Sequence, residues 1–103
     1  MAKTKREVEN IIERYKAALR ELGIVPKDII LYGSYAGGKP REDSDIDLIV
    51  ISDDFARMNL RERLEILGLA AGRVFEPIEA IGYTEEELRD TKGTFLEEIL
   101  SSL

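Results

Sequence analysis

Apolar residues recur every three or four positions in two long segments of the chain, which is the spacing of an amphipathic helix. The first segment follows a capping-box pair, Thr4 and Glu7, and Gly23 supplies its stop. The second segment follows another such pair that begins at Asn59, and it is predicted to end at Gly72. The positions expected on the buried face of this second helix are Leu60, Leu64, Leu67 and Ala71.

Three short apolar runs predict β-strands over residues of about 28–32, 45–52 and 74–83. The third run is interrupted early by a proline, which suggests an edge strand or a late start. Thr84 and Thr94 each begin a further capping-box pair, so two short helices are predicted near the C-terminal end. The loop between the first two strands is too short for a crossover helix, so these strands are expected to run antiparallel. The predicted fold class is α+β, with helices packed on a small mixed sheet.

Length and composition narrow the possible functions. The chain has 103 residues, enough for one core but too few for a catalytic domain plus a substrate-recognition domain, so a single domain over residues 1–103 is predicted. It contains no cysteine and no histidine, which excludes thiolate and imidazole chemistry. The apolar runs are too short to span a membrane and the N-terminus lacks the apolar core of a signal peptide, so a cytoplasmic protein is expected. The net charge of −6 argues against a general nucleic-acid binder.

The candidate chemistry lies between the first two predicted strands. Gly33 and Ser34 end the first strand, and Asp45 and Asp47 begin the second after ten intervening residues. Because side chains alternate along a strand, both carboxylates should point to one face with their Cα atoms roughly 6–7 Å apart. A glycine-serine turn suits a phosphate and paired carboxylates suit a divalent metal, which together favour phosphoryl or nucleotidyl transfer. The alternative interpretation is an ordinary strand-ending turn followed by two solvated acids.

The acidic residues of this segment also resemble a calcium-binding loop. Asp43, Asp45 and Asp47 match its first three ligands. That interpretation fails, because the position that requires glycine is Leu48 and the position of the closing glutamate is Asp54. Magnesium fits better, since it favours few carboxylates together with water and substrate phosphates.

The run GSYAGGKPREDSDIDLIVIS is similar to the signature of the minimal nucleotidyltransferases, the smallest members of the DNA polymerase beta superfamily. The family pattern is Gly-Ser, ten residues and Asp-x-Asp, with a loop glycine that Gly38 matches. The resemblance extends over about residues 28–88. It implies a polymerase beta-like fold and a reaction that moves a nucleoside monophosphate, AMP from ATP in the first place, onto an acceptor hydroxyl with the help of two Mg²⁺ ions.

The resemblance also implies a role for each matching carboxylate. Asp45 and Asp47 would hold Mg²⁺ on the triphosphate, and Glu79 would be the third metal-binding and catalytic carboxylate. The family usually has aspartate at that position, followed five residues later by a threonine that starts a helix, which Thr84 matches. Glutamate is one methylene longer, so the geometry of the second metal is an open question. Glu76 is a weaker candidate for the same role, and a solvated edge residue is the alternative interpretation of Glu79.

Four further residues are expected at the triphosphate. By resemblance, the backbone of Gly33 and the hydroxyl of Ser34 would bind the β- and γ-phosphates. Lys39 and Arg41, in the loop, are placed to neutralise charge as pyrophosphate leaves, although loop cations are often only solvated. Tyr32 is expected to fill the core rather than to stack on a base.

Stand-alone proteins of this family are similar to the antitoxin halves of HEPN–nucleotidyltransferase toxin–antitoxin pairs. The resemblance implies that a HEPN-domain toxin is both partner and acceptor, with adenylate added to a tyrosine. Two alternatives are open: a contact-only antitoxin with a vestigial nucleotide site, and a nucleotidyltransferase for a small molecule such as an aminoglycoside. Apolar residues near the C-terminus would supply part of a docking face, or ordinary core packing: Phe95, Leu96, Ile99, Leu100 and Leu103.

Overall fold

The computed structural model describes residues 2–38, 40, 44–90 and 97. Two long helices, three strands and one short helix make up these ranges, with single 3₁₀ turns at Gly33–Tyr35 and Asp53–Arg57. In chain order the elements are α1 (Lys5–Glu21), β1 (Asp28–Tyr32), β2 (Ile46–Ile51), α2 (Leu60–Val74), β3 (Ile78–Tyr83) and α3 (Glu85–Arg89).

The three strands form one mixed sheet in the order β1-β2-β3. β1 and β2 are antiparallel, as the short loop between them predicts, and Tyr32 is paired with Asp47. β2 and β3 are parallel because α2 returns the chain to the same end of the sheet, and this register pairs Asp47 with Glu79. The predicted α+β class with a small mixed sheet is therefore confirmed.

Helices α1 and α2 pack together on one face of the sheet and enclose the main core. Leu48 and Val50 of β2 point into this core. Tyr15 of α1 is fully buried, and its hydroxyl donates a hydrogen bond of 2.9 Å to the carbonyl of Leu67 in α2. This bond satisfies the buried phenol and fixes the two helices relative to each other.

The opposite face of the sheet carries a smaller apolar cluster around Ile49 and Ile51. Alternation along β2 sends Asp47 to this same face, because it lies two residues before Ile49. Asp47 is half-buried, while every other residue of β2 is buried. The central strand therefore has one position that reaches solvent, and an acidic residue occupies it.

The capping boxes that begin α1, α2 and α3 are all present, as predicted. The structure corrects the prediction for the far end of α2: the helix does not stop at Gly72 but continues to Val74. A glycine inside a helix costs only about 1 kcal/mol, so it does not by itself end one. The end comes at Phe75, which adopts a left-handed conformation with φ of 61°.

The predicted buried face of α2 is partly wrong. Leu67 is buried and Ala71 half-buried as expected, but Leu60 and Leu64 are exposed. The physical reason is that α2 carries apolar residues around most of its circumference, so periodicity does not select the face that packs. The buried positions of α2 are Leu67, Ala70 and Val74.

Two further predictions concern the start of β3 and the C-terminal segment. β3 begins at Ile78, directly after Pro77, in agreement with the late start suggested by that proline. The apolar residues predicted to supply a docking face lie outside the residues that the structure describes. Of the helix predicted to begin at Thr94, only Glu97 is described. In the described ranges, no helix is both long enough and apolar enough to cross a membrane.

Candidate active site

The turn that follows β1 is built around Gly33. This residue has φ of 73°, in the left-handed region that glycine adopts without a steric cost. Its carbonyl accepts hydrogen bonds from the N–H groups of Ala36 and Gly37, at 3.1 and 3.0 Å. The turn leaves Ser34 exposed, and within the described ranges no group hydrogen-bonds to its hydroxyl. The serine is therefore available to a ligand.

Gly33 lies directly against Asp47. A Cβ atom at Gly33 would overlap Oδ2 of Asp47 and would lie 3.0 Å from its Cγ. A side chain at position 33 is thus excluded twice, by the backbone conformation and by the carboxylate. This contact places the turn and the acidic residue of the central strand in one site.

The strand register places the predicted carboxylates on one face. Asp47 and Glu79 are direct neighbours in the parallel pair β2–β3, so their side chains lie side by side. Asp45 precedes β2 by one residue and, by alternation, shares the face of Asp47. Asp45 and Glu79 are exposed, and Asp47 is half-buried. These three residues are called the carboxylate site below.

The carboxylate site concentrates negative charge. The pKa of Asp47 is raised, first by its burial and then by the charges of Glu79 and Asp45. Among the described residues, no lysine or arginine forms an ion pair with any of the three. The site therefore has an excess of negative charge that a cation would relieve.

A divalent cation fits the chemistry of this donor set. Carboxylate oxygens are the ligands that Mg²⁺ prefers, and an uncompensated pair of them favours its binding. In the part of the chain that the structure describes, no three acidic side chains stand close enough to hold a metal ion as they are. The fit consequently rests on the type and charge of the donors and on their common face.

Tyr32 packs against the smaller apolar cluster of the sheet, as expected of a core residue, and it is also a neighbour of the carboxylate site, which sequence reasoning missed. It pairs with Asp47 across the antiparallel ladder, so a row of three side chains, Tyr32, Asp47 and Glu79, crosses the sheet. The pKa of Tyr32 is raised by burial, then by the charges of Asp47 and Glu79. The position of Tyr32 beside Asp47 follows from the antiparallel register of β1 and β2, which could have been used to predict it. Tyr35 instead packs against the main core.

The remaining candidates lie elsewhere or outside the described residues. Glu76 forms ion pairs with Arg14 at 3.3 Å and Lys3 at 3.8 Å, so it belongs to the surface beside α1 and not to the carboxylate site. Lys39 and Arg41 lie outside the residues that the structure describes, and their roles stay predictions.

A depression of about 500 Å³ adjoins the turn on the α1 side of β1. Its lining is mainly apolar and includes Leu31 and Tyr35, together with Lys3 and Lys5. The carboxylate site is not part of this lining, because its side chains project from the opposite face of the sheet.

Comparison with known proteins places the chain among enzymes that handle nucleotides. A family model described as a nucleotidyltransferase domain matches residues 12–101. The protein adenylyltransferase MntA of Thermococcus cleftensis is 33% identical over 93 residues, which are 84% of this chain and 92% of that protein. A provisionally named protein adenylyltransferase of Methanocaldococcus jannaschii is 38% identical over 65 residues, which are 63% of this chain and 64% of that protein.

A solved structure supports the same fold. The crystal structure of a provisionally assigned nucleotidyltransferase from Sulfolobus solfataricus superposes with a TM-score of 0.52 and 23% identity. The match covers 89% of this chain and 86% of that one. At this identity the likeness concerns the fold alone, and it agrees with the mixed sheet and its helices.

Proposed function

Since the chain belongs to the nucleotidyltransferase domain family and is a nucleotidyltransferase, we propose that it transfers AMP from ATP to a hydroxyl group of a partner protein. The acceptor oxygen forms a bond to the α-phosphorus, the bond from that phosphorus to the bridging oxygen of the β-phosphate breaks, and pyrophosphate leaves. The observation that carries the proposal is the contact of the Gly33 turn with Asp47, beside Glu79, because it brings a turn with exposed hydrogen-bond donors next to paired carboxylates.

The turn and its loop would bind the triphosphate. The exposed hydroxyl and N–H of Ser34 are donors that suit the β- and γ-phosphates. Gly33, in its left-handed conformation, has no side chain to cover the backbone, so a phosphate can approach the backbone closely at this point. Lys39 and Arg41 would neutralise the charge that develops on pyrophosphate.

Asp45, Asp47 and Glu79 would hold Mg²⁺, with two ions as the family resemblance implies. When bound, the ions supply charge neutralisation of the triphosphate and so favour approach of the acceptor oxygen. The residues of the chain orient the nucleotide against the acceptor, and such sites work chiefly through positioning and electrostatics. Glu79 would receive the proton of the acceptor hydroxyl, since it is exposed and stands beside Asp47.

A protein acceptor is favoured over a nucleic acid by charge. The net charge is −6, and a long phosphate backbone would need many basic contacts. The relative from Thermococcus cleftensis is named a protein adenylyltransferase, which agrees with this choice. We take a HEPN-domain toxin as the acceptor and a tyrosine of that toxin as the modified residue, so that this chain acts as an antitoxin.

The test is transfer of labelled AMP to a HEPN-domain toxin in the presence of Mg²⁺, read by mass spectrometry of the toxin. Asp47→Asn should abolish the added mass. Asp28→Asn is the matched control, because Asp28 is an exposed aspartate at the opposite end of the same strand pair. A toxin that is inhibited by stoichiometric binding and stays unmodified would favour the contact-only antitoxin. Salt-sensitive labelling of RNA ends would favour a nucleic-acid enzyme.

A further inference from the structure

The face of α2 that points away from the core carries large apolar side chains that are exposed to solvent. Leu64 and Leu69 are 45% and 61% exposed, and Phe75 at the end of the helix is 92% exposed. Two shallow depressions on this face share Gly72, so the apolar surface is continuous along the helix. Contiguous exposed apolar patches on soluble proteins are typical of interaction sites.

Two glycines occupy the middle of the same face. Gly68 and Gly72 are exposed, and within the described ranges no atom lies within 4 Å of a Cβ added at either position. Packing inside the chain therefore does not require glycine there, although glycine weakens a helix interior. Glycine at these positions would let a second helix pack close to α2, because the distance between packed helices depends on the size of the side chains at their contact.

The charges on this face balance in spite of the net negative charge of the chain. Toward its N-terminal end, Glu65 pairs with Arg61 at 3.0 Å, and toward its C-terminal end Arg73 pairs with Glu21 at 3.0 Å. Each end thus holds one acid and one base. Two copies of a protein with a net charge of −6 can meet at this face without bringing unpaired like charges together.

Two pairs of residues on this face are each spaced symmetrically, one pair about Gly68 and the other about Leu69. Leu64 and Gly72 lie four residues on either side of Gly68, and Glu65 and Arg73 lie four residues on either side of Leu69. A twofold axis at Leu69 would set Glu65 of each copy beside Arg73 of the partner subunit, acid against base, and would bring the two copies of Leu69 together. Self-complementarity of this kind is the requirement for an isologous dimer.

We propose that the chain forms a homodimer in which the outward faces of two α2 helices pack antiparallel about this axis. Glu65 then lies beside Arg73 of the partner subunit, and Gly68 and Gly72 leave room for the partner helix to approach. The carboxylate site projects from the other face of the sheet, since Asp47 alternates with the core residue Leu48. Both sites stay open in the dimer, so this inference does not depend on the proposed function.

Sedimentation equilibrium of the purified full chain over a wide range of concentrations tests the proposal. The expected result is a mass twice that of the 11.7 kDa chain. Gly68→Leu should weaken dimerisation at least about tenfold in Kd, while the Tm measured at low concentration stays the same or rises. Lys16→Glu is the control for the charge reversals described next, because it reverses one member of a surface ion pair, with Glu13 on α1, outside the proposed interface.

Charge reversal provides a second measurement that does not depend on how the leucine variant folds. Glu65→Arg and Arg73→Glu should each weaken the homodimer, and mixing the two variants should restore dimerisation as a heterodimer. A wild-type chain that is monomeric at every concentration would overturn the proposal, as would a dimer that tolerates all three substitutions. Protection of α2 from hydrogen exchange only in complex with a different protein would assign this face to that protein instead.

Discussion

Gly33 and Asp47 touch so closely that position 33 has no room for a Cβ atom, which would overlap Oδ2 of the aspartate. The turn after β1 therefore requires glycine at this position because Asp47 of the central strand fills the adjoining space. The sequence spacing brings the two residues into one motif, but the direct contact depends on the antiparallel register that pairs Tyr32 with Asp47.

Gly33→Ala is predicted to lower both stability and nucleotide binding. The new methyl group must displace Asp47, and φ of 73° strains an alanine, so we expect a loss of about 1–3 kcal/mol in the free energy of unfolding. Calorimetry with ATP and Mg²⁺ should show weaker binding as well.

Gly38→Ala is the matched control for this variant. Gly38 has nearly the same backbone conformation, with φ of 74°, but within the described ranges no atom lies within 4 Å of an added Cβ. It should therefore show the cost of backbone strain without displacement of a carboxylate. Equal losses of ATP affinity in the two variants would contradict a role for the contact between Gly33 and Asp47.

Ser34→Ala is predicted to leave the fold intact and to weaken ATP binding. The serine is exposed, and in the described part of the chain its hydroxyl has no hydrogen-bond partner, so its loss should leave the Tm almost unchanged. Loss of one hydrogen bond to a charged phosphate should cost about 1.5–3 kcal/mol of binding free energy. A lower Tm with unchanged ATP affinity would show that the serine serves the turn and not the phosphate.

Asp47→Asn is predicted to stabilise the metal-free protein while removing its activity. The pKa of Asp47 is raised above the ordinary aspartate value of 3.8 by burial and by its acidic neighbours. Its contribution to stability is therefore fully present below the ordinary value and is lost as the pH rises through the raised value. At neutral pH in the presence of a chelator, the asparagine variant should have the higher Tm.

The metal supplies the second half of this test. Addition of Mg²⁺ with ATP should raise the Tm of the wild type and leave that of Asp47→Asn nearly unchanged, since ligands stabilise the state that binds them. Asp28→Asn again serves as the control and should behave as the wild type does. A metal-free wild type that is more stable than Asp47→Asn at neutral pH would contradict the repulsion inferred at this site.

Local sequence rules account for much of the fold. Strand β1 coincides with the predicted residues 28–32, and α1, α2 and α3 begin where the capping boxes predict, because a capping box satisfies backbone N–H groups within a few residues. The order of elements also sufficed for the mixed sheet, since a short loop enforces an antiparallel pair and a helical connection permits a parallel one.

Features that depend on tertiary packing were not accessible in the same way. The face of α2 that packs was chosen wrongly at Leu60 and Leu64, because apolar residues surround this helix and only contact with α1 and β3 selects among them. The position of Tyr32 beside Asp47 depends on strand register. Glu79 and Glu76 differ only in tertiary surroundings, since the second pairs with Arg14.

A separate prediction concerns the packing of β3 against the 3₁₀ turn at Asp53–Arg57. A Cβ atom at Gly82 would lie 2.7 Å from Cε2 of the fully buried Phe55 ring. Gly82→Ala should therefore destabilise the protein by about 1–3 kcal/mol in chemical denaturation. Combination with Phe55→Leu should cost less than the sum of the two single changes, because the smaller side chain makes room for the methyl group. Additive losses would contradict the predicted overlap.

The last prediction concerns the third carboxylate. Glu79 stands beside Asp47 in the sheet, and the family resemblance implies an aspartate at this position, so the carboxylate should matter more than its length. Glu79→Gln removes the charge and the proton acceptor and should reduce AMP transfer by about 10²-fold or more. Glu79→Asp should keep a measurable part of the activity.

Glu76→Gln is the control, because that residue pairs with Arg14 and Lys3 on another surface, and it should transfer AMP as the wild type does. If Glu79→Gln retained full activity while Glu76→Gln lost it, the assignment of the third carboxylate would have to be exchanged between the two residues.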